Sequence, residues 1–178
     1  MELFAEELIN YCSIERAVFS AKEIITRSEE KETEEIGIVV EGTVFLESID
    51  ENGVRRILDY YSGGDLFRKQ YLSLFGNTDY VLYSKTKCEV VFLSAKKMTE
   101  FIQGNNRVNE ITAFFDRSIM RQLVHVHILE QHTMRQKILA FLENESAELK
   151  KNPFTVRISF TDSADYMGVD RSAMMREI

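Results

Sequence analysis

Only two cysteines, Cys12 and Cys88, occur in the 178 residues, far apart and without Cys-x-x-Cys spacing. This argues against a zinc or iron–sulfur framework and suits a reducing compartment, so a cytoplasmic protein is expected. Long apolar runs are also missing. None approaches the ~20 residues that would span a bilayer, and no membrane partner is expected. The start, Met1-Glu2-Leu3-Phe4-Ala5-Glu6-Glu7, lacks the basic stretch of a signal peptide. Glycine is absent between residues 105 and 167, whereas seven of the eight glycines fall in the first 104. Glycine supplies the positive φ of tight turns, so the first segment reads as turn-rich and β, and the next as helical. The lone proline, Pro153, follows Glu148-Leu149-Lys150-Lys151-Asn152 and marks a helix end.

What is present is ordinary for a globular chain, with 44% hydrophobic and 29% charged residues. The length suits about one domain and a fraction at ~100–200 residues per domain. The net charge is −7, and all of it lies in residues 1–104, which carry 12 Lys/Arg against 19 Asp/Glu. Residues 105–132 balance at 3 against 3, and residues 133–178 at 7 against 7. Such unevenness divides the chain into modules, expected at 1–104, 105–132 and 133–178.

Within the first module, Ile36-Gly37-Ile38-Val39-Val40 and Thr43-Val44-Phe45-Leu46 are strand-forming runs broken by Glu41-Gly42. Asp50-Glu51-Asn52-Gly53 signals a hairpin with paired positive-φ residues, and Val54 to Tyr61 is the returning strand. Val81-Leu82-Tyr83 and Glu89-Val90-Val91-Phe92-Leu93 are further short strands, and the acidic stretch Ser28 to Glu35 reads as a solvated loop. Short strands punctuated every ~8–12 residues predict a β-sandwich or small barrel of the jelly-roll type.

Residues 107–131 show helical spacing instead. Val108, Ile111, Phe115, Ile119, Leu123 and Val126 form one stripe, and Met120, Val124 and Ile128 another. A helix apolar on more than one face must bury both, either in its own core or against a second subunit. The second reading is favoured, with Phe115, Ile119, Leu123 and Val126 as the dimer interface. Thr133 then reads as the N-cap of a shorter helix bearing Met134, Ile138, Phe141 and Leu142. Phe154 to Phe160 alternates as a strand would.

The last eighteen residues, from Thr161, read as two helices joined tightly. Ala164 is small enough for a close helix crossing, and Gly168 can end the first helix in the left-handed region. Asp170 can cap the second helix, and Met174 would pack back on the first. This is the spacing of a helix-turn-helix, whose second helix enters the major groove of DNA. Arg171, Ser172 and Arg176 are then the candidate DNA-binding residues.

Taken in order, these residues resemble a known family. Ile38-Val39-Val40-Glu41-Gly42-Thr43-Val44, Asp50-Glu51-Asn52-Gly53 and Ser62-Gly63-Gly64-Asp65-Leu66-Phe67 are similar to the sensor domain of the Crp/Fnr transcription regulators. Lys87 to Leu93 resembles the strand before that family's dimerisation helix, and Tyr166 to Glu177 its recognition helix. The resemblance covers nearly the whole chain. It implies an α+β protein: a double-stranded β-helix (jelly-roll) sensor, a long dimer helix and a C-terminal winged-helix domain that stops here before its wing. It also implies a homodimer, a palindromic double-stranded DNA operator and a small-molecule effector.

The departures from the family pattern narrow the effector. Members that bind cyclic nucleotides carry Gly-Glu after the segment matching Gly64-Asp65-Leu66-Phe67, then an Arg followed by a small hydroxyl residue. Here Arg68-Lys69 follow Phe67, and Gly76-Asn77-Thr78-Asp79-Tyr80 occupies the later segment. Asp79 would repel a phosphate rather than neutralise it. An effector other than a cyclic nucleotide is therefore expected, with Arg68, Lys69, Thr78 and Tyr80 as pocket candidates by position.

No cofactor or metal is expected. The iron–sulfur branch needs four thiolates; a haem, which needs only one or two axial ligands, stays open, although no residue marks itself as such a ligand. His125 and His127 point to different sides of a helix, while His125 and His132 are seven residues apart, roughly 10 Å along the axis. Surface or interface histidines are the plain reading. All three histidines lie outside the barrel, where a jelly-roll metalloenzyme would need them, and no Gly-x-Ser-x-Gly, Walker or Rossmann signature occurs. An enzyme is not expected. The rival to a DNA-binding regulator is a ligand-binding regulatory module that acts through protein contacts alone.

Overall fold

A computed structural model describes residues 2–27, 35–68, 79–150 and 153–178. The chain divides into two compact units, residues 1–116 and 117–178. The acidic loop expected over residues 28–35 lies, apart from Glu35, outside the described residues.

The first unit runs α1 (Glu2–Cys12), β1 (Ser13–Phe19), β2 (Ile24–Arg27), β3 (Glu35–Glu41), β4 (Val44–Ile49), β5 (Arg55–Tyr61), β6 (Leu66–Arg68), β7 (Asp79–Ser84), β8 (Cys88–Ser94) and α2 (Ala95–Asn105), then enters α3 (Val108–Glu130). The strands form two four-stranded antiparallel sheets ordered β1-β8-β3-β6 and β2-β7-β4-β5. This is the expected jelly-roll.

β3 and β8 sit in the interior of the first sheet and are apolar on both faces, as strands buried on both sides must be. One face carries Val39, Val90 and Phe92, which meet Val44, Tyr61 and Leu82 between the sheets. The other face carries Ile36, Ile38, Val91 and Leu93, covered by Phe4, Leu8 and Cys12 of α1, Met98 and Phe101 of α2, and Ile111 of α3. Aromatic rings occupy much of the space between the sheets. Phe67 lies 5.7 Å from Tyr61 and 6.3 Å from Phe92, centroid to centroid. Its ring rests on Gly37, where an added Cβ would come within 2.2 Å of it. Burial pushes the Cys88 thiol up to about 11, with Glu23 adding to the shift.

Four local features depart from the sequence reading. The glycine-rich first segment contains two helices as well as strands. α1 follows the i, i+4, i+8 spacing of Phe4, Leu8 and Cys12, and α2 starts at a Ser94 cap and tolerates Gly104 on an open face. The Asn52-Gly53 hairpin has one positive φ rather than two, at Gly53 (77°). Gly53 donates to the Asp50 carbonyl, and the Asp50 carboxylate accepts from the backbone N–H groups of Asn52 and Val54, both at 2.9 Å. The loop is thus one residue longer than a two-residue turn, closed as a turn plus bulge.

The other two departures lie in the second unit, which contains the rest of α3, α4 (Met134–Leu149), α5 (Phe160–Met167) and α6 (Arg171–Glu177). The strand expected over residues 154–160 does not form. Strand pairing needs a partner, and here the polar groups are satisfied locally: the Arg157 N–H donates to Glu145, and Ser159 caps α5. His125, expected at a surface or interface, is buried within this unit, whereas His127 and His132 are exposed. The Thr133 cap forms as expected, in a full capping box with Gln136.

Candidate nucleic-acid interface

The pair α5–α6 is fixed at each end by hydrogen-bonding side chains. Ser159 accepts from the Asp162 N–H at 3.2 Å and Asp170 accepts from the Ala173 N–H at 2.8 Å, so both helices start on a capping oxygen. Between them Gly168 takes φ 64°, and the chain closes by Gly168 N–H to the Asp165 carbonyl and Val169 N–H to the Ala164 carbonyl. This paired closure uses carbonyls that a helix end leaves orphaned. An added Cβ at residue 168 would meet only ordinary contact at 3.8 Å, so the left-handed backbone rather than space requires glycine there.

The same end of α5 is held from two other elements, which the sequence reading missed. His125 on α3 donates Nε2–H to the Tyr166 carbonyl at 2.8 Å, and its ring stacks on that of Tyr166 at 3.8 Å. Lys137 on α4 donates Nζ–H to the Met167 carbonyl at 3.2 Å. No pattern in the sequence announces these contacts, because each joins residues at least 30 positions apart. Behind them, the Glu145 carboxylate on α4 is fully buried and accepts from the Arg157 backbone, Nε and Nη2.

On α6, Met174 is buried as expected, and Arg171, Ser172 and Arg176 are exposed together. Met175, which the sequence reading passed over, is 63% exposed, and the helical pitch places it between Arg171 and Ser172. The three candidates do not stand alike. Arg171 makes a two-point contact with Asp165 on α5, Nε to Oδ1 at 3.1 Å and Nη2 to Oδ2 at 2.5 Å. Hydrogen bonding to Asp165, and then its charge, raises the Arg171 pKa and holds the guanidinium protonated. The face is small, outward and polar around one apolar side chain, a chemistry suited to base edges in a groove.

In the first unit, the effector candidates are only partly in view. Arg68 ends β6 at the edge of the first sheet, paired with Ile36, and is half-buried. Tyr80 is the second residue of β7 in the second sheet and packs against the core between the sheets. Lys69 and Thr78 lie outside the described residues. The turn before β6 is tied to β3, since Gly64 N–H donates to the Val39 carbonyl and Val39 N–H to the Asp65 carbonyl. At the far end of this unit Arg107 contacts Glu7 at 2.9 Å and Glu110 at 2.7 Å, joining α1 to the first turn of α3. Hydrogen bonding to Arg107 holds the Glu110 carboxyl below its usual range.

Along α3, Ile111 is buried in the first unit, and His125 and Ile128 in the second. The expected interface residues are exposed: Phe115 at 36%, Ile119 at 57%, Leu123 at 56% and Val126 at 50%. They share one face of the helix, and Met120 beside them is also exposed.

Comparison with known proteins now places the chain. The family model described as "Cyclic nucleotide-binding domain" matches residues 16–105. The chain belongs to the cyclic nucleotide-binding domain family. Within it, the likeness is to regulators of the Crp/Fnr type, as the motifs imply. The cAMP-activated global transcriptional regulator CRP of Haemophilus influenzae is 34% identical over 107 residues, 59% of this chain and 43% of that protein. The chain thus aligns with less than half the length of that curated relative. Among solved structures, FixK2 from Bradyrhizobium japonicum superposes with a TM-score of 0.71 at 18% identity, covering 92% of this chain and 81% of its own. A cyclic nucleotide-binding domain containing protein from Listeria monocytogenes gives a TM-score of 0.76 at 14% identity, covering 99% and 87%. These two likenesses establish the shared fold.

Proposed function

We propose that this chain is a dimeric, sequence-specific DNA-binding transcription regulator of the Crp/Fnr type. Its jelly-roll, residues 1–104, acts as the sensor, residues 105–132 as the dimerisation helix, and residues 133–178 as the DNA-binding module. The observation that carries the reading is the α5–Gly168–α6 unit. Both helices are capped, the turn is closed, Met174 faces inward, and Arg171, Ser172, Met175 and Arg176 face out. The exposed apolar face of α3 supports the dimer, because apolar patches of this kind mark association surfaces.

The sensor works by population shift: an effector that favours one arrangement of the two DNA-binding modules moves the equilibrium toward it. Its effector is not a cyclic nucleotide. Arg68 stands where cyclic-nucleotide binders of the family have the glycine of Gly-Glu, and Phe67, Tyr61 and Phe92 crowd the space between the sheets.

Selection from a random duplex pool by the intact protein tests the DNA reading. The expected product is a palindrome with half-sites about 34 Å apart, one turn of the duplex. Arg176→Ala should then cost about 1–3 kcal/mol on the selected site if the side chain reads a base. Enrichment of no sequence overturns the reading and favours a module acting through protein contacts.

A further inference from the structure

The contact between Asp165 and Arg171 goes beyond a list of exposed arginines. A guanidinium has two edges able to make paired hydrogen bonds, one formed by Nε and a terminal nitrogen, the other by the two terminal nitrogens. Asp165 occupies the first, through Nε at 3.1 Å and Nη2 at 2.5 Å. The side chain of Arg171 is nonetheless 60% exposed, and that of Asp165 30%. The second edge, Nη1 with the remaining Nη2 hydrogen, is therefore left to an outside partner. That edge matches the O6 and N7 acceptors of guanine.

We propose that Asp165 is a positioning residue for base readout, orienting Arg171 so that its terminal edge pairs with one guanine in each half-site. The proposal rests on the reading of α5–α6 as a DNA-binding pair and adds what one of its residues does. Two physical consequences distinguish it from a simple surface ion pair, which contributes little to stability. Holding the long arginine side chain in one geometry beforehand removes part of the ordering cost on binding. The Asp165 charge also offsets that of Arg171, which weakens the indiscriminate pull on phosphates while leaving the directional bonds to guanine intact. Asp165 thus trades non-specific affinity for discrimination.

The test uses the intact protein, its selected duplex, and duplexes carrying each single base-pair substitution, with a random duplex for non-specific affinity. Asp165→Asn should lose about tenfold discrimination at one G·C pair per half-site, the scale of one bidentate contact. It should bind the random duplex as well as the wild type or better. Arg171→Gln should lose preference at the same base pair, and the double variant should lose no more than either alone. Arg171 is exposed, so Arg171→Gln reads the same position even if Asp165→Asn unfolds. Retained guanine preference in either variant overturns the proposal, as does an equal loss on every sequence. A gain in guanine preference on Asp165→Asn also overturns it, since Asp165 would then mask Arg171. A wild type that selects no sequence brings down the DNA reading itself, a result separate from these.

Discussion

Glu145 is a charged residue with no exposed surface, and it survives there because Arg157 brings three donors to it. A buried carboxylate is costly unless hydrogen-bonded, and removing one partner of such a pair destabilises far more than forming it gained. Arg157 also reaches Glu148 at 2.5 Å, so the segment before α5 is anchored to α4 at two points. Glu145→Ala should lower the stability of the second unit by about 3 kcal/mol, the low end for breaking a buried pair. Chemical denaturation of the purified variant checks this, and an unchanged midpoint would remove the pair from the account. The sequence hinted at none of it. Glu145 sits at a helical position in phase with Ile138 and Phe141, but nothing local says that Arg157, twelve residues on, would fold back to it.

At the scale of elements, α3 carries the clearest unpaid surface. Burying one side chain of the size of Leu or Phe contributes about 1.5–3 kcal/mol, and four such groups lie exposed on one face. A second copy related by a two-fold axis would cover the patch with the same patch. Leu123→Glu combined with Val126→Glu places like charges across that axis, and the expected result in analytical ultracentrifugation is a monomer. A double variant that stays a tight dimer moves the interface elsewhere. The α3 periodicity was legible in the sequence, since spacings of three and four residues need no tertiary information. The split within each stripe was not: Ile111 shares a stripe with Ile119, and Ile128 shares one with Met120, yet Ile111 and Ile128 are buried while Ile119 and Met120 are exposed.

At the scale of the whole molecule, a family resemblance and a departure from it meet in the sensor. The chain has the jelly-roll of the cyclic nucleotide-binding domain family, and CRP of Haemophilus influenzae is described as cAMP-activated. The residues after Phe67 differ from the pattern that holds a cyclic phosphate. Isothermal calorimetry with cyclic AMP and cyclic GMP should therefore show no micromolar site, in the presence or absence of operator DNA. A micromolar site for either would return this sensor to the cyclic-nucleotide branch.

The sequence by itself determined β3, β4, β5, β7 and β8 with their turn signals, though not β1, β2 or the short β6, and it determined the Thr133 cap, the Gly168 and Asp170 positions of the helix pair, and the family. Each is set by short-range chemistry: alternation, a capping oxygen, or a residue that alone tolerates a left-handed backbone. Tertiary structure alone decided three other matters. Phe154 to Phe160 alternates like a strand but forms none: the Arg157 N–H donates to Glu145 instead of a sheet partner, and Ser159 accepts from the Asp162 N–H as the cap of α5. His125 became a buried donor to the end of α5 because Tyr166 lies opposite it in space, 41 residues away in the chain. Arg171 was legible as an exposed cation, but its shared edge with Asp165 depended on the turn at Gly168 bringing α5 and α6 together. Hydrogen-bond partners that meet only after folding leave no periodic trace in a sequence, which is why these escaped it.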